Sequence, residues 1–220
     1  MPMKGSGSTS LEVIDRFDEG VGWIAYPEET MRRASHAIER DGEVWVFDPV
    51  DAEGVDDLLA EFGSVAGVAV LLDRHKRDAA AIATRHDVSV YVPEWMNGVE
   101  RKLDAPVERF GDELAGFDVE RLIDNPAWQE AVCFDGETLL VPEALGTVSY
   151  FCASGETLGV HPMLRLLPPR SLREYDPERL LVGHGEGVFE DVPRTIRDAL
   201  GGARSKTPSL YWKNLMRAIR

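Results

Sequence analysis

Val68-Ala69-Val70-Leu71-Leu72-Asp73-Arg74-His75-Lys76-Arg77-Asp78 joins two unlike halves without a spacer. Val68–Leu72 is an unbroken apolar run, partly β-branched, and reads as a buried strand. The next six positions hold five charged side chains and His75. A buried strand that ends this way delivers polar groups to the mouth of a sheet, where open α/β folds keep their sites. If the chain stays extended, alternate spacing brings Asp73, His75 and Arg77 into line. The plainer reading is a solvated strand end ahead of a helix, with Asp73 as its N-cap.

Outward from this stretch the pattern repeats. Ala79–Arg85 is a helix by propensity, and Val88–Val92 is a strand closed by Pro93. Upstream, Gly63–Gly67 connects back to Gly54–Phe62, whose Val55, Leu58, Leu59 and Phe62 share one helical face. Before it, Val44–Phe47 is a strand closed by Asp48-Pro49. Residues 44–92 therefore read strand, helix, strand, helix, strand, a right-handed parallel unit. Leu11–Phe17 and Gly22–Tyr26 make an opening hairpin around Asp18-Glu19-Gly20. Glu28–Arg40 suits a short helix or a loop of helical character, and residues 94–117 belong on the surface. Asp135-Gly136 turns Ala131–Phe134 into Thr138–Val141, which Pro142-Glu143 ends. Thr147–Ala153 is a further apolar run, and Pro162–Pro169 suits a short helix and a loop. Leu180–Val182 is a short strand running into Gly183-His184-Gly185-Glu186-Gly187, and Val192–Ala203 is helical. The expected architecture is one α/β domain over residues 1–203, two β-led halves with helices outside, followed by a basic helical tail over 204–220. That tail either docks an acidic partner or lies across the chain's own acidic surface, and the second costs less.

Composition narrows the function. The 220 residues are 44% hydrophobic, with 39 carboxylates against 24 cationic side chains and a net charge of −15. Such a surface repels phosphate backbones and anionic membranes, so nucleic-acid and membrane partners are not expected. Excess carboxylate with little Lys suits a protein kept soluble in high salt. Cys133 and Cys152 lie in apolar runs and read as small core residues. The polar N-terminus has no apolar leader and no run reaches membrane-span length, so the cytoplasm is the expected compartment. There is no phosphate-cradling glycine loop and no G-x-S-x-G nucleophile turn.

Three strand ends now stand out: Phe47-Asp48-Pro49, Asp73 to Asp78, and Val182-Gly183-His184-Gly185. Their order resembles the metallo-β-lactamase fold family, over about Gly20 to Leu200. The most specific match is Pro177-Glu178-Arg179-Leu180-Leu181-Val182-Gly183-His184-Gly185, similar to that family's closing G-H-G motif. The resemblance implies a four-layer αβ/βα sandwich with metal ligands at the strand ends. It also implies a motif H-x-H-x-D-H, and here the chain departs. Asp73-Arg74-His75-Lys76-Arg77-Asp78 keeps only His75, with Asp73 and Asp78 at the outer His positions and Arg77 where the family has a metal-binding Asp. The family's next His falls near Ile123–Glu130, which contains none. Its bridging Asp corresponds to Glu143, and its Asp after the earlier strand, which orients the metal loop, to Asp48.

Two readings follow. Asp73, His75, Glu143 and His184 have the chemistry to hold one divalent metal (Zn, Mn or Fe), with Asp48 and Asp78 as supporting catalytic carboxylates. That reading implies a metal-dependent hydrolase of esters, thioesters or phosphodiesters. Alternatively Arg77 fills the cation's place through bidentate pairs with Asp73, Glu143 or Asp48. The protein then has no metal and binds a small molecule or a protein partner. His36, His86 and His161 read as structural or solvated, and Trp95 and Trp128 as core or rim packing. The salt reading is checked by thermal melting in KCl: stability is expected to rise toward molar salt, and an unchanged midpoint without it removes the main support for salt adaptation.

Overall fold

The computed structural model describes residues 2–7 and 9–219. Seven strands form the first sheet in chain order: β1 Glu12–Phe17, β2 Gly20–Ile24, β3 Ala34–Arg40, β4 Glu43–Phe47, β5 Ser64–Ala69, β6 Val90–Pro93 and β7 Val107–Phe110. The first four are antiparallel and the last four parallel. Helices α1 (Val55–Ala60) and α2 (Ala79–Arg85) make the crossovers on either side of β5. The second sheet contains β8 Glu113–Leu114, β9 Phe117–Asn125, β10 Trp128–Phe134, β11 Thr138–Val141 and β14 Arg179–Val182, in the order β14-β11-β10-β9-β8. Between its last two strands in sequence, β12 (Leu145–Gly146) and β13 (Gly159–Val160) pair as a ribbon. Helix α3 runs from Val192 to Ala218.

The two-residue period of the strands sorts the core into layers. Val46, Val68 and Val70 pack against Leu58, Leu59 and Ile82 on the helix side of the first sheet. Their neighbours Phe47, Ala69 and Leu71 face the other way, against Phe117, Ala131, Leu140 and Leu181 of the second sheet. Leu139, Val141, Leu180 and Val182 then face Ile196, Ala199 and Leu200 of α3. Helix, sheet, sheet, helix is the four-layer order expected. Cys133 lies in the inter-sheet core and Cys152 is buried, both as free thiols.

The organising stretch joins the two sheets. Val70 N–H still bonds Tyr91 of the first sheet (2.9 Å). One residue later the Leu71 carbonyl accepts from Ala131 N–H (2.8 Å), and Asp73 N–H donates to Gln129 (3.0 Å), both in β10. The polar half of the stretch is therefore delivered to the seam between the sheets.

Three expectations change. The organising strand begins at Ser64, inside the expected connector Gly63–Gly67, and its ladder ends at Ala69. Ala34–Arg40 is a strand, not helix: Ala37 faces the helix-side core and Ile38 the inter-sheet core, so both faces are covered and no alternation survives to mark it. Residues 94–117 are not surface: Met96 and Val99 sit in the helix-side core, and Phe110, Leu114 and Phe117 in the inter-sheet core. Their apolar residues are too scattered between turns to show a period.

The basic tail continues α3 without a break through Pro208. It lies on its own chain, held by backbone carbonyls: Lys213 donates to Ser149 and Cys152, and Asn214 to Tyr150 (3.0 Å). Among the described residues, no helix is long and apolar enough to cross a membrane. The anchor beneath α3 is Arg165, fully buried, which donates to Ala203 O (3.1 Å), Phe151 O (2.9 Å) and both oxygens of Glu156 (2.8 and 3.1 Å). Arg165→Met leaves the buried Glu156 carboxylate with only Ala153 N–H (2.7 Å) and the more distant Lys206 (3.8 Å), and is expected to cost about 3 kcal/mol in urea unfolding. A loss below about 1 kcal/mol would mean that Arg165 does not hold the helix in place.

Candidate metal centre

Four strand ends converge on one point. Asp48 follows β4, His75 follows the extension of β5, Glu143 follows β11, and His184 follows β14. His75, Glu143 and His184 are buried and each bring one donor atom within 4.8 Å of the others. That is close enough for the three to hold one metal ion. The imidazoles are anchored through Nδ1, His75 to Asp48 Oδ2 (3.1 Å) and His184 to the Met31 carbonyl (2.9 Å). A carbonyl only accepts, so His184 Nδ1 carries the proton and Nε2 the lone pair. That buried Nε2 has no hydrogen-bond partner. Burial, and then the charge of Arg77, holds both imidazoles well below the usual histidine range, so both are neutral.

Arg77 occupies the middle. Its Nη1 donates to the carbonyls of Ala34 (2.6 Å) and Asp48 (2.7 Å), and its Nη2 to Gly183 O (3.1 Å). Nη2 also lies 3.2 Å from His75 Nε2, whose lone pair accepts because Nδ1 is committed to Asp48. One guanidinium thus ties the start of β3 to the ends of β4 and β14. Burial pulls its pKa down to about 10, so it stays cationic at neutral pH. The expected bidentate pairs with carboxylates do not form. Asp48 instead accepts from Leu71 N–H (2.9 Å) and His75, while Glu143 and Asp73 face Arg74 (3.3 and 3.6 Å). The planar fork is spent on carbonyls, which the strand ends present in its plane.

This arrangement tests the fit of a metal. An ion about 2.0–2.1 Å from His75 Nε2 would compete with Arg77 for the same lone pair and sit beside its positive charge. The three donors suit one ion in kind and spacing, but not with Arg77 where it stands.

The other candidates lie around this centre. Asp73 is at the rim beside Arg74, outside the three-donor cluster. Asp78 opens α2, yet its Oδ2 accepts from Asp51 N–H (2.9 Å) and does not cap the helix. Asp48 is buried, and burial pushes its carboxyl up to about 7. His36 pairs with Asp15 (3.2 Å) and His86 with Asp56 (2.9 Å), both away from the cluster.

Sequence reasoning passed over three participants. His161 lies with Nε2 3.4 Å from Glu143 Oε1, between the rings of Trp128 and Phe151, and burial brings its pKa down to about 4. Arg74 stacks on Trp128 at 4.1 Å and covers Glu143 from outside. Glu130, fully buried, accepts from the N–H groups of Glu143 and Ala144 (2.8 Å each) and from Trp128 Nε1 (2.7 Å). It sets the loop that presents Glu143, and burial pushes its carboxyl up to about 7. Its signal was available: an acid inside the apolar run Ala131–Phe134 and its flank Trp128 has to find partners. Trp128 itself stands at the tip of the β9–β10 hairpin, where the resemblance placed a His.

No protein-family model matches the chain, and no curated protein does. Solved structures do. DIM-1 metallo-β-lactamase is 13% identical with a TM-score of 0.62, over 92% of this chain and 99% of that one. The fold is that of the metallo-β-lactamases. A metallo-β-lactamase from Hirschia baltica is 12% identical with a TM-score of 0.60, over 90% of this chain and 97% of that one. A metal-soaked flavodiiron core from Synechocystis is 10% identical with a TM-score of 0.63, over 90% of this chain and 62% of that one. At these identities the likeness concerns the fold alone.

The raised carboxyl of Glu130 links the site to pH. The folded state keeps this proton up to about pH 7, where an unfolded chain has already lost it. Its contribution to stability is therefore present in acid and lost as pH rises through 7. Asp48 and Glu143 act in the same direction, while His75, His161 and His184, kept neutral by burial, oppose them below the ordinary histidine range. Glu130→Gln is expected to make the slope of urea stability against pH more positive between about pH 4.5 and 7. An unchanged slope would mean that Glu130 does not titrate there.

Proposed function

We propose that this protein uses the metallo-β-lactamase fold without hydrolysis, with the Arg77 guanidinium in the place of the metal, and serves as a binding protein for a small molecule or a protein partner. The observation that carries this reading is the 3.2 Å contact of Arg77 Nη2 with His75 Nε2, made while Nη1 holds two strand ends. The atom a metal would need is already engaged by a cation. Arg77 also adopts φ +40, and Asp48, whose carbonyl it binds, φ +46. Such backbone costs about 1–3 kcal/mol per residue and persists only where surrounding bonds over-determine it. The acidic balance supports a salt-adapted source for such a protein.

A second reading keeps the hydrolase. His75, Glu143 and His184 would hold one Zn, Mn or Fe ion, and the unpaired Nε2 of His184 is the observation that favours it. It requires Arg77 to leave its three carbonyls. The substrate class would be an ester, thioester or phosphodiester.

Elemental analysis of untagged protein after incubation with Zn, Mn and Fe separates the two. The arginine reading expects no bound metal. It also expects Arg77→Ala to lose about 2–4 kcal/mol, because three buried carbonyls lose a charged donor, and to gain metal affinity at the vacated position. One metal per chain in the native protein, lost in His75→Ala, would overturn it in favour of the hydrolase.

A further inference from the structure

The C-terminal part of α3 is amphipathic in the unusual sense. Leu210 is buried, and Lys213 and Asn214 point inward to the carbonyls of Ser149, Cys152 and Tyr150. Trp212 (65% exposed), Leu215 (52%) and Ile219 (71%) point outward, at the three- and four-residue steps of one helical stripe. Beside this stripe lie Met163, Leu166 and Leu167, exposed by 75%, 65% and 79%. The two segments are joined, because Tyr211 Oη donates to Pro162 O (3.2 Å) and Arg204 Nε to Leu166 O (2.7 Å). Six large apolar side chains on the outer face of two joined segments is more than a monomer ordinarily leaves to water.

We propose that this face is the self-complementary interface of a two-fold dimer, with the stripe of one copy packed on that of the second. Charge selects the occupant. Residues 204–220 contain five cationic side chains and no carboxylate, so against a whole-chain charge of −15 the rest of the chain balances at −20. This is the surface on which two copies meet with least carboxylate repulsion, and the opposed tails bring little free positive charge, because Arg204, Lys206, Lys213 and Arg217 are each bonded to their own chain. A lipid surface fits less well. Membrane-seated helices place their cations beside the apolar face, toward the headgroups, whereas Lys213 is turned onto its own chain and the acidic body repels anionic lipid. The area suits a dimer: six such side chains approach the ~800 Å² that each partner supplies to a standard interface. The face is also set in advance, since α3 is already docked, so little ordering is lost on association.

Sedimentation equilibrium of the full chain tests this. Dimers are expected, tightening as KCl rises because salt screens the net repulsion but not apolar contact. Trp212→Glu with Leu215→Glu is expected to raise the dimer dissociation constant by about 30-fold or more, with unchanged circular dichroism. Should that variant fold poorly, Met163→Ser with Leu167→Ser, on the other element, is expected to weaken the dimer likewise. A wild-type monomer at about 100 μM, or a dimer indifferent to both variants, overturns the proposal. So does a monomer that binds phosphatidylglycerol vesicles through Trp212, which would make the occupant a membrane.

Discussion

A buried guanidinium with nowhere else to go organises this molecule. Arg77 is part-buried, with its cationic guanidinium set among the strand ends, and a lone charge there would be costly. It is compensated by three carbonyl dipoles from three strand ends, by the imidazole of His75, and at longer range by Asp48 and Glu143. The bonds cross the gap between sheets: Ala34 and Asp48 belong to the first, Gly183 to the second. The strand ends are therefore fastened by a side chain at the place where this fold can seat an ion.

A planar fork asks for different surroundings from a point charge. A divalent ion gathers lone pairs from imidazoles and carboxylates, whereas a guanidinium carries one charge and directs its N–H groups in a plane. Fewer anionic partners are then required. Asp73 lies at the rim with Arg74, Asp78 secures the Asp51 backbone, and Trp128 at the hairpin tip supports Arg74 and His161 as a ring. Glu143 remains in place because Glu130 holds its backbone from below. The neutral state of His75 and His184 keeps the positive charge of the centre to Arg77, so their lone pairs can face a cation.

Charge also organises the exterior on a larger scale. The carboxylate excess sits on the body, and the cationic tail lies back on that body through α3. One ion pair, Lys206 with Glu156 (3.8 Å), and the carbonyls of residues 149–152 seat it, with buried Arg165 beneath. The tail's inner face is thereby used up, and its apolar face is the one left outward.

Much of the fold was legible because its signals are local. Val68–Leu72 announces a buried extended segment, though β5 itself begins earlier and ends at Ala69, while Ala79–Arg85 announces a helix and Asp135-Gly136 a hairpin within their own residues. His75, Glu143 and His184 were legible as ligand-type residues at strand ends. What could not be read was their relation to one another. Arg77 reaches Ala34 and Gly183, 43 and 106 residues away, through backbone carbonyls that have no residue-specific signature. β3 went unseen because burial on both faces erased its period, and His161 because it reaches Glu143 only after β12 and β13 pair. The sequence by itself determined most of the strands and helices, since backbone preference and periodicity act over a few residues. Only the tertiary structure decided that a cation from the chain itself stands among the ligands, because the spacing and orientation of groups on separate strands are set by how the two sheets pack.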